Sequence, residues 1–269
     1  MLGPGGFYRG SSILISGEAG TGKTMLTASV IDAACRRGER CMAFAFEESS
    51  AQIVRNARSI GLDLAGHVAG GLLRFEAARP SLFGLETHLA RMHRDLDQFR
   101  PDVVVIDPIS ALRGSTSELQ ATLLRMIDLI KTRGITAVFT TLRGDGSLVQ
   151  ENDLGVSSLM DAWVKLQNME ANGERTRTLY VIKARGMSHS NQVREFLMSS
   201  NGIRLIDAYI GPAGVLTGTA RMVQEAREMA ETQRRLHETE RRIREVARRR
   251  SAIERQMEEL RASLEATED

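Results

Sequence analysis

Residues 17 to 24 read GEAGTGKT. Three glycines, a lysine and a closing hydroxyl in that order suit the cradling of phosphate. Glycine lets successive backbone N–H groups turn inward toward anionic oxygens. The stretch follows the apolar run ILIS and precedes TMLTASVIDAACRR, so it sits between a strand and a helix whose N-terminal dipole favours anions. Lys23 then reaches the β- and γ-phosphates of a nucleotide, and Thr24 offers its hydroxyl to Mg2+. The nucleotide-contacting set is read as Gly17, Glu18, Ala19, Gly20, Thr21, Gly22, Lys23, Thr24 and Met25. A glycine-rich turn without a ligand fits the flanking strand and helix less well.

Two further strand ends carry acids. VVVIDP places Asp107 after four apolar residues, where an acid of the Mg2+ shell belongs in such sheets. FAFEESS ends another apolar strand in the adjacent carboxylates Glu47 and Glu48. Successive strand residues point to opposite faces, so only one of the two need face the nucleotide. Adjacent like charges can also raise the pKa of one, which suits a general base. The same segment fits a capping arrangement for the next helix, with Ser49 or Ser50 as N-cap, and both readings can hold together. Farther on, RTRTLYVIKARG spaces Arg177, Lys183 and Arg185 at odd positions, which an uninterrupted strand puts on one face. Basic residues that merely guard an edge strand would show the same pattern.

These residues need a sheet to hold them. SSILISG (11–17), CMAFAFE (41–47), LLRFEAA (72–78), DVVVIDP (102–108) and ITAVFTT (135–141) are candidate strands, several apolar on both faces as in a buried parallel sheet. Helical segments separate them, among them SELQATLLRMIDLIKTRG with a Leu119, Leu123, Met126, Ile127, Ile130 stripe ended by Gly134. After residue 141, WVKLQNM, RTLYVIKARG, REFLMSS and IRLID follow too closely for crossover helices, and Asn201-Gly202 signals a hairpin. The expected fold is α/β: a mostly parallel central sheet, an antiparallel extension and a long C-terminal helix.

The domain is expected to span residues 1–209, with a linker at 210–220 and a helix at 221–269. That last segment lacks glycine and proline and holds 12 arginines and 12 acids, so it is neutral yet about half charged. One heptad frame sets Met222, Met229, Leu236, Ile243, Arg250, Met257 and Leu264 at one seam position. Glu225, Thr232, Thr239, Val246, Ile253 and Leu260 take the other, giving a good coiled-coil seam only in the second half. A solvated single helix held by Glu231–Arg235, Glu238–Arg242 and Glu245–Arg249 pairs is the alternative.

Bulk properties narrow the partners. A formal net charge of +2 and 4% aromatic residues argue against a nucleic-acid platform. No apolar run approaches the roughly 20 residues of a membrane helix, and MLGPGGFYRGSS lacks the apolar region of a signal peptide. Cys35 and Cys41 show no metal or redox spacing and read as reduced, buried thiols of a cytoplasmic protein.

GEAGTGKT, FAFEESSAQIVRNARSIGLDL, VVVIDPISAL and VIKARGMSHSNQVREF together resemble the KaiC family of RecA-like P-loop ATPases, and in particular the family's second, C-terminal ATPase domain. The resemblance covers about residues 1 to 206, and the opening MLGPGGFYRG looks like the middle of the family's domain-entry motif. It implies a chain drawn from a tandem-domain protein or an unusual single-domain member. It also implies a homo-hexameric ring with ATP and Mg2+ between subunits, slow hydrolysis, autophosphorylation across the interface, and clock partners of KaiB type. Glu47 becomes the residue that activates the acceptor hydroxyl and joins Thr24 and Asp107 in the metal shell. Arg177, Lys183 and Arg185 become the basic residues that reach into the neighbour's ATP. The acceptor segment falls on NDLGVSSLMD, giving Ser157 and Ser158, where Asn152 and Asp153 stand near and Ser-Ser replaces the usual Ser-Thr. The C-terminal helix has no family counterpart and is expected to self-associate, joining two rings. A DNA-acting recombinase or helicase, and a scaffold glued by ATP, are the competing classes.

Overall fold

The computed structural model describes residues 6–77, 84–142, 156–171, 173–211 and 214–268. They form two compact units, residues 1–215 and 216–269. The first unit is built on a nine-stranded sheet. Its strands are β1 Ser12–Gly17, β2 Cys41–Ala45, β3 Leu73–Ala77, β4 Val103–Asp107, β5 Thr136–Leu142, β6 Ala162–Ala171, β7 Glu174–Ala184, β8 Arg194–Ser199 and β9 Gly202–Asp207. They lie in the order β3-β2-β4-β5-β1-β6-β7-β8-β9.

Apolar residues cover both faces of β1, β2 and β4 because helices pack on each side. Ile13 and Ile15 face α1 (Lys23–Arg36), α2 (Ser50–Ser59) and α3 (Leu64–Ala69), through Ala28, Ile31, Ile53 and Leu64. Leu14, Met42 and Val104 face α4 (Leu85–Phe99) and α5 (Thr116–Thr132), through Met92, Leu96, Leu123, Met126 and Ile130. Ser115 caps α5 in a reciprocal box with Glu118, and Gly134 closes it at φ 67°. Cys35 and Cys41 are buried free thiols.

The strand WVKLQNM departs from expectation. β6 pairs parallel with β1, Ile13 opposite Ala162, and turns antiparallel only toward β7. The parallel part of the sheet therefore holds six strands, because β6, which follows the short helix α6 (Val156–Leu159), begins beside the start of β1. The hairpin signalled by Asn201-Gly202 forms between β8 and β9, where Ser199 pairs with Gly202, and of the turn residues Gly202 alone takes positive φ, 91°. Ser200 and Asn201 thus form the turn, which a glycine in the left-handed region closes.

The stretch read as a linker is not irregular. It contains paired strands β10 (Tyr209–Gly211) and β11 (Gly214–Leu216), after which α7 (Gly218–Glu268) begins. Along α7 the pairs Glu231–Arg235, Glu238–Arg242 and Glu245–Arg249 lie at 2.6 Å, 3.2 Å and 3.2 Å. No helix among the described residues is long and apolar enough to cross a membrane.

Candidate nucleotide site

β1 runs into the glycine-rich loop and α1 leaves it, with Gly22 at the junction in the left-handed region at φ 97°. A Cβ there would lie 2.8 Å from the Phe196 ring on β8, and one at Gly17 would lie 2.5 Å from the Leu166 carbonyl on β6. Glycine at these two positions lets the loop lie against the sheet. Thr21, fully buried, ties the loop by donating its hydroxyl to the Glu18 carbonyl at 2.8 Å.

Lys23 folds back into the loop. Its Nζ donates to the carbonyls of Gly17 and Glu18, each at 2.7 Å. Burial pushes its pKa below the ordinary lysine value, against the opposing pull of Asp107, Glu47 and Glu18. A phosphate arriving here offers the ammonium a charged partner in place of two neutral carbonyls.

Loop, β2 end and β4 end enclose a cleft of about 500 Å³, lined by Ala19, Gly20, Gly22, Lys23, Thr24, Met25, Glu47, Glu48 and Asp107. Gly17, Glu18 and Thr21, also expected to contact nucleotide, are not among its lining residues and hold the loop together through the bonds just described. Glu47 is exposed at the cleft, whereas Glu48 is half-buried. Burial raises the Glu48 pKa, the charge of Asp107 adds to it, and Asn56, donating to Glu48 Oε2 at 3.3 Å, partly offsets it. The adjacent Glu47 is a smaller contributor. The capping reading of the segment holds as well: Ser49 caps α2 in a reciprocal box with Gln52.

The donor chemistry suits a Mg-nucleotide. Carboxylates and a threonine hydroxyl are hard oxygen donors, while Lys23 and the α1 N-terminus supply positive potential. Among the described residues no three His, Cys, Asp or Glu side chains form a metal cage.

Several contributing residues escaped the reading of the sequence. Thr140, completely buried on β5, donates its hydroxyl to Asp107 Oδ1. Ser110 accepts from the Leu142 N–H at 3.1 Å, and Trp163 Nε1 donates to Ser16 Oγ at 2.8 Å beneath the loop. A signal for Thr140 was present, since two threonines interrupt the apolar run ITAVF at its C-terminal end.

The shared face expected for Arg177, Lys183 and Arg185 is broken. The β6–β7 register pairs Val164 with Val181 but Trp163 with Lys183, a bulge that turns Lys183 to the face opposite Val181 and Arg177. β7 also runs antiparallel to β6, so its two ends reach opposite rims of the sheet. At one rim Arg177 Nε donates to the Gly20 carbonyl at 3.2 Å, within the chain's own phosphate loop. At the other, Arg185 donates its side chain to the Ser158 carbonyl at 2.7 Å and its backbone N–H to the Asp161 backbone carbonyl at 2.7 Å. Asp161 is also the acceptor for the Ser12 N–H at the start of β1 and for Lys131. Burial would raise its pKa, but the Ser12 N–H, Lys131 and Arg185 outweigh that and hold it low. Lys183 is lowered by burial and by neighbouring Arg185.

The serine pair is therefore not near the rim that carries the chain's own cleft. Val156–Leu159 precedes Asp161, beside the first residue of β1, whereas the cleft opens after its last. Five residue steps along the strand separate these rims by about 17 Å. Ser158 is exposed; Asn152 and Asp153 lie outside the described residues.

The family model described as "ATPase: KaiC" matches residues 1–209. The chain belongs to the KaiC ATPase family. It is 49% identical over 232 residues to the circadian clock protein KaiC2 of Synechocystis, covering 85% of this chain and 41% of that protein. The circadian clock oscillator protein KaiC of Parathermosynechococcus lividus is 37% identical over 221 residues, 80% of this chain and 40% of the relative. KaiC3 of Synechocystis is 35% identical over 220 residues, 80% of this chain and 43% of the relative. The chain thus spans about two-fifths of the length of these KaiC relatives. The RecA-like fold of the family's ATPase domain accounts for the sheet and its glycine-rich loop.

Proposed function

We propose that this KaiC-family domain binds Mg-ATP between like subunits of a ring, hydrolyses it slowly, and transfers phosphate to Ser157 or Ser158 of a neighbour. One observation carries the reading: groups suited to one phosphoryl-transfer site stand on opposite rims of the same domain. Lys23, Thr24, Glu47, Glu48 and Asp107 gather at the cleft. Arg185 and Ser158 gather at the far rim with Lys183, whose pKa burial and the nearby Arg185 lower against the opposing charge of Asp161. A single domain cannot bring them together. Head-to-tail contact between copies can, and a heterologous contact of that kind closes into a ring.

In this reading Thr24 and Asp107 hold the metal, and Lys23 holds the terminal phosphate oxygens. The metal ion, when bound, offsets phosphate charge. Lys183 and Arg185 of the neighbouring copy add positive charge from outside the cleft, and Arg177 steadies the loop of its own subunit. Glu47, exposed at the cleft mouth, takes the proton of the incoming hydroxyl. Glu48, whose pKa is raised, stands beside it and orders the cleft through Asn56. Each added phosphate brings about −1.5 to −2 charges to the contact, enough to alter it and store a state. The relatives' names, circadian clock proteins, support a timing role, and the family resemblance supports partners of KaiB type.

Incubation with Mg-ATP and no other kinase, followed by phosphopeptide mapping, tests the transfer. Phosphate is expected on Ser157 or Ser158, and Glu47→Gln is expected to slow its appearance sharply. Unmodified serines after long incubation would leave an ATPase without the autokinase. Mixing Arg185→Ala with Lys23→Ala subunits tests the shared site, since mixed rings regain sites with both groups. Mixtures no more active than the separate variants would rule sharing out.

A further inference from the structure

We infer that α7 pairs with α7 of a second copy of this chain as a parallel, in-register, two-stranded coiled coil. The observation that calls for a partner is exposure. Leu236, Ile243, Val246, Ile253 and Met257 are 60%, 63%, 66%, 57% and 51% exposed. All five fall on the two seam positions of one heptad frame, and the sequence continues that frame at Leu260 and Leu264.

The flanking charges choose the orientation. In a parallel pair, each position just before one seam residue faces, on the partner, the position five residues later. Arg235 then meets Glu240 of the second copy, and Arg249 meets Glu254. Arg242 meets Ala247, so no like charges face each other across these flanking positions. Reversing one helix sets the flank of Arg235, Arg242 and Arg249 against itself, and the flank of Glu240 and Glu254 against itself. Like charges so placed oppose association.

Arg250 occupies the seam and sets the number of strands. Between two helices its stem crosses the seam while the guanidinium reaches water, whereas three would be trapped together in a trimer. Glu254, 2.9 Å from Arg250 Nε on the same helix, supplies the counter-charge. Parallel pairing starts both helices at the same end, so it joins copies that lie side by side. In the proposed ring these are neighbours of one ring, in place of the two opposed rings expected from the sequence.

The full chain carrying Val246→Cys, oxidised under mild conditions, tests this on a non-reducing gel. Val246 faces its own counterpart only in a parallel, in-register pair. Arg248→Cys, pointing away from the seam, controls for chains that are merely close, and the wild-type chain controls for buried Cys35 and Cys41. A disulfide-linked dimer is expected many-fold faster for Val246→Cys than for Arg248→Cys. Equal rates, or no bridge, would overturn the pairing and favour a solitary helix. Charge reversal gives an independent arm. Arg249→Glu and Glu254→Arg, each placed in the Val246→Cys chain, should slow bridging, and the two together should restore it. Each single change also breaks a pair within its own helix, Glu245–Arg249 or Arg250–Glu254, which the double variant leaves broken. Failure of the double variant to recover would therefore overturn the parallel arrangement.

Discussion

Thr140→Val changes one hydroxyl to a methyl at a site with no exposure and leaves the shape of the side chain nearly intact. The hydroxyl donates to Asp107 Oδ1, the acid assigned to the metal. A hydrogen bond to a charged group contributes roughly 1.5–3 kcal/mol. Asp107 is only half-buried, so water can replace part of the lost bond, and the expected cost sits near the lower end, about 1–2 kcal/mol. The second effect is on order: without its tether the carboxylate adopts other rotamers, and Mg-ATP affinity should fall by a factor of about 3–10, equivalent to about 0.6–1.4 kcal/mol. Trp163 is the single tryptophan and bonds Ser16 beneath the loop, so its fluorescence reports both processes. Urea unfolding followed at Trp163 gives the stability change, and Mg-ATP titration gives the affinity. Thr140→Ser keeps the donor and should retain the affinity. A Thr140→Val protein with wild-type affinity for Mg-ATP would refute the claim that this bond positions the metal-shell acid.

Other outcomes follow from the same geometry. Lys23→Ala or Asp107→Asn should lower Mg-dependent hydrolysis by at least about a hundredfold, in line with removal of one transition-state charge partner, and wild-type turnover by either would sink the site. Gly22→Ala combines a left-handed backbone with a Cβ 2.8 Å from Phe196, and thermal or urea unfolding should show a loss of about 2–4 kcal/mol. Because burial lowers the Lys23 pKa, the free ammonium begins to deprotonate below its ordinary value of 10.5. ATP binds the protonated form, so affinity should fall as pH rises through that window and binding should take up a proton. Calorimetry in buffers of different ionisation enthalpy measures this, and alkaline binding without uptake would contradict it. The raised Glu48 pKa has the opposite linkage for folding: the free protein holds its proton more tightly than the unfolded chain, so the ionised form at neutral pH weakens the fold. Glu48→Gln should therefore raise the unfolding midpoint at pH 7 and gain nothing at pH 4.

The local elements were legible because each was written in a short stretch of chain. A buried parallel strand shows as an unbroken apolar run, and GEAGTGKT needed only its flanking strand and helix to be read as a phosphate loop. Ser115 with Glu118, and Ser49 with Gln52, are caps whose residues lie three apart. Relations between distant segments were not legible. Nothing in WVKLQNM marks which neighbour it pairs with, and the structure sets it parallel to β1. Parity put Arg177, Lys183 and Arg185 on one face, but one bulge against Trp163 undid that, since inserting a single residue reverses every side chain beyond it. Thr140 and Asp107 are neighbours only because β4 and β5 lie side by side. Residue types and spacing by themselves determined which chemistry the chain carries. The strand order and direction decided which groups stand at one cleft and which at the opposite rim, because hydrogen bonding between strands joins residues that the chain keeps far apart.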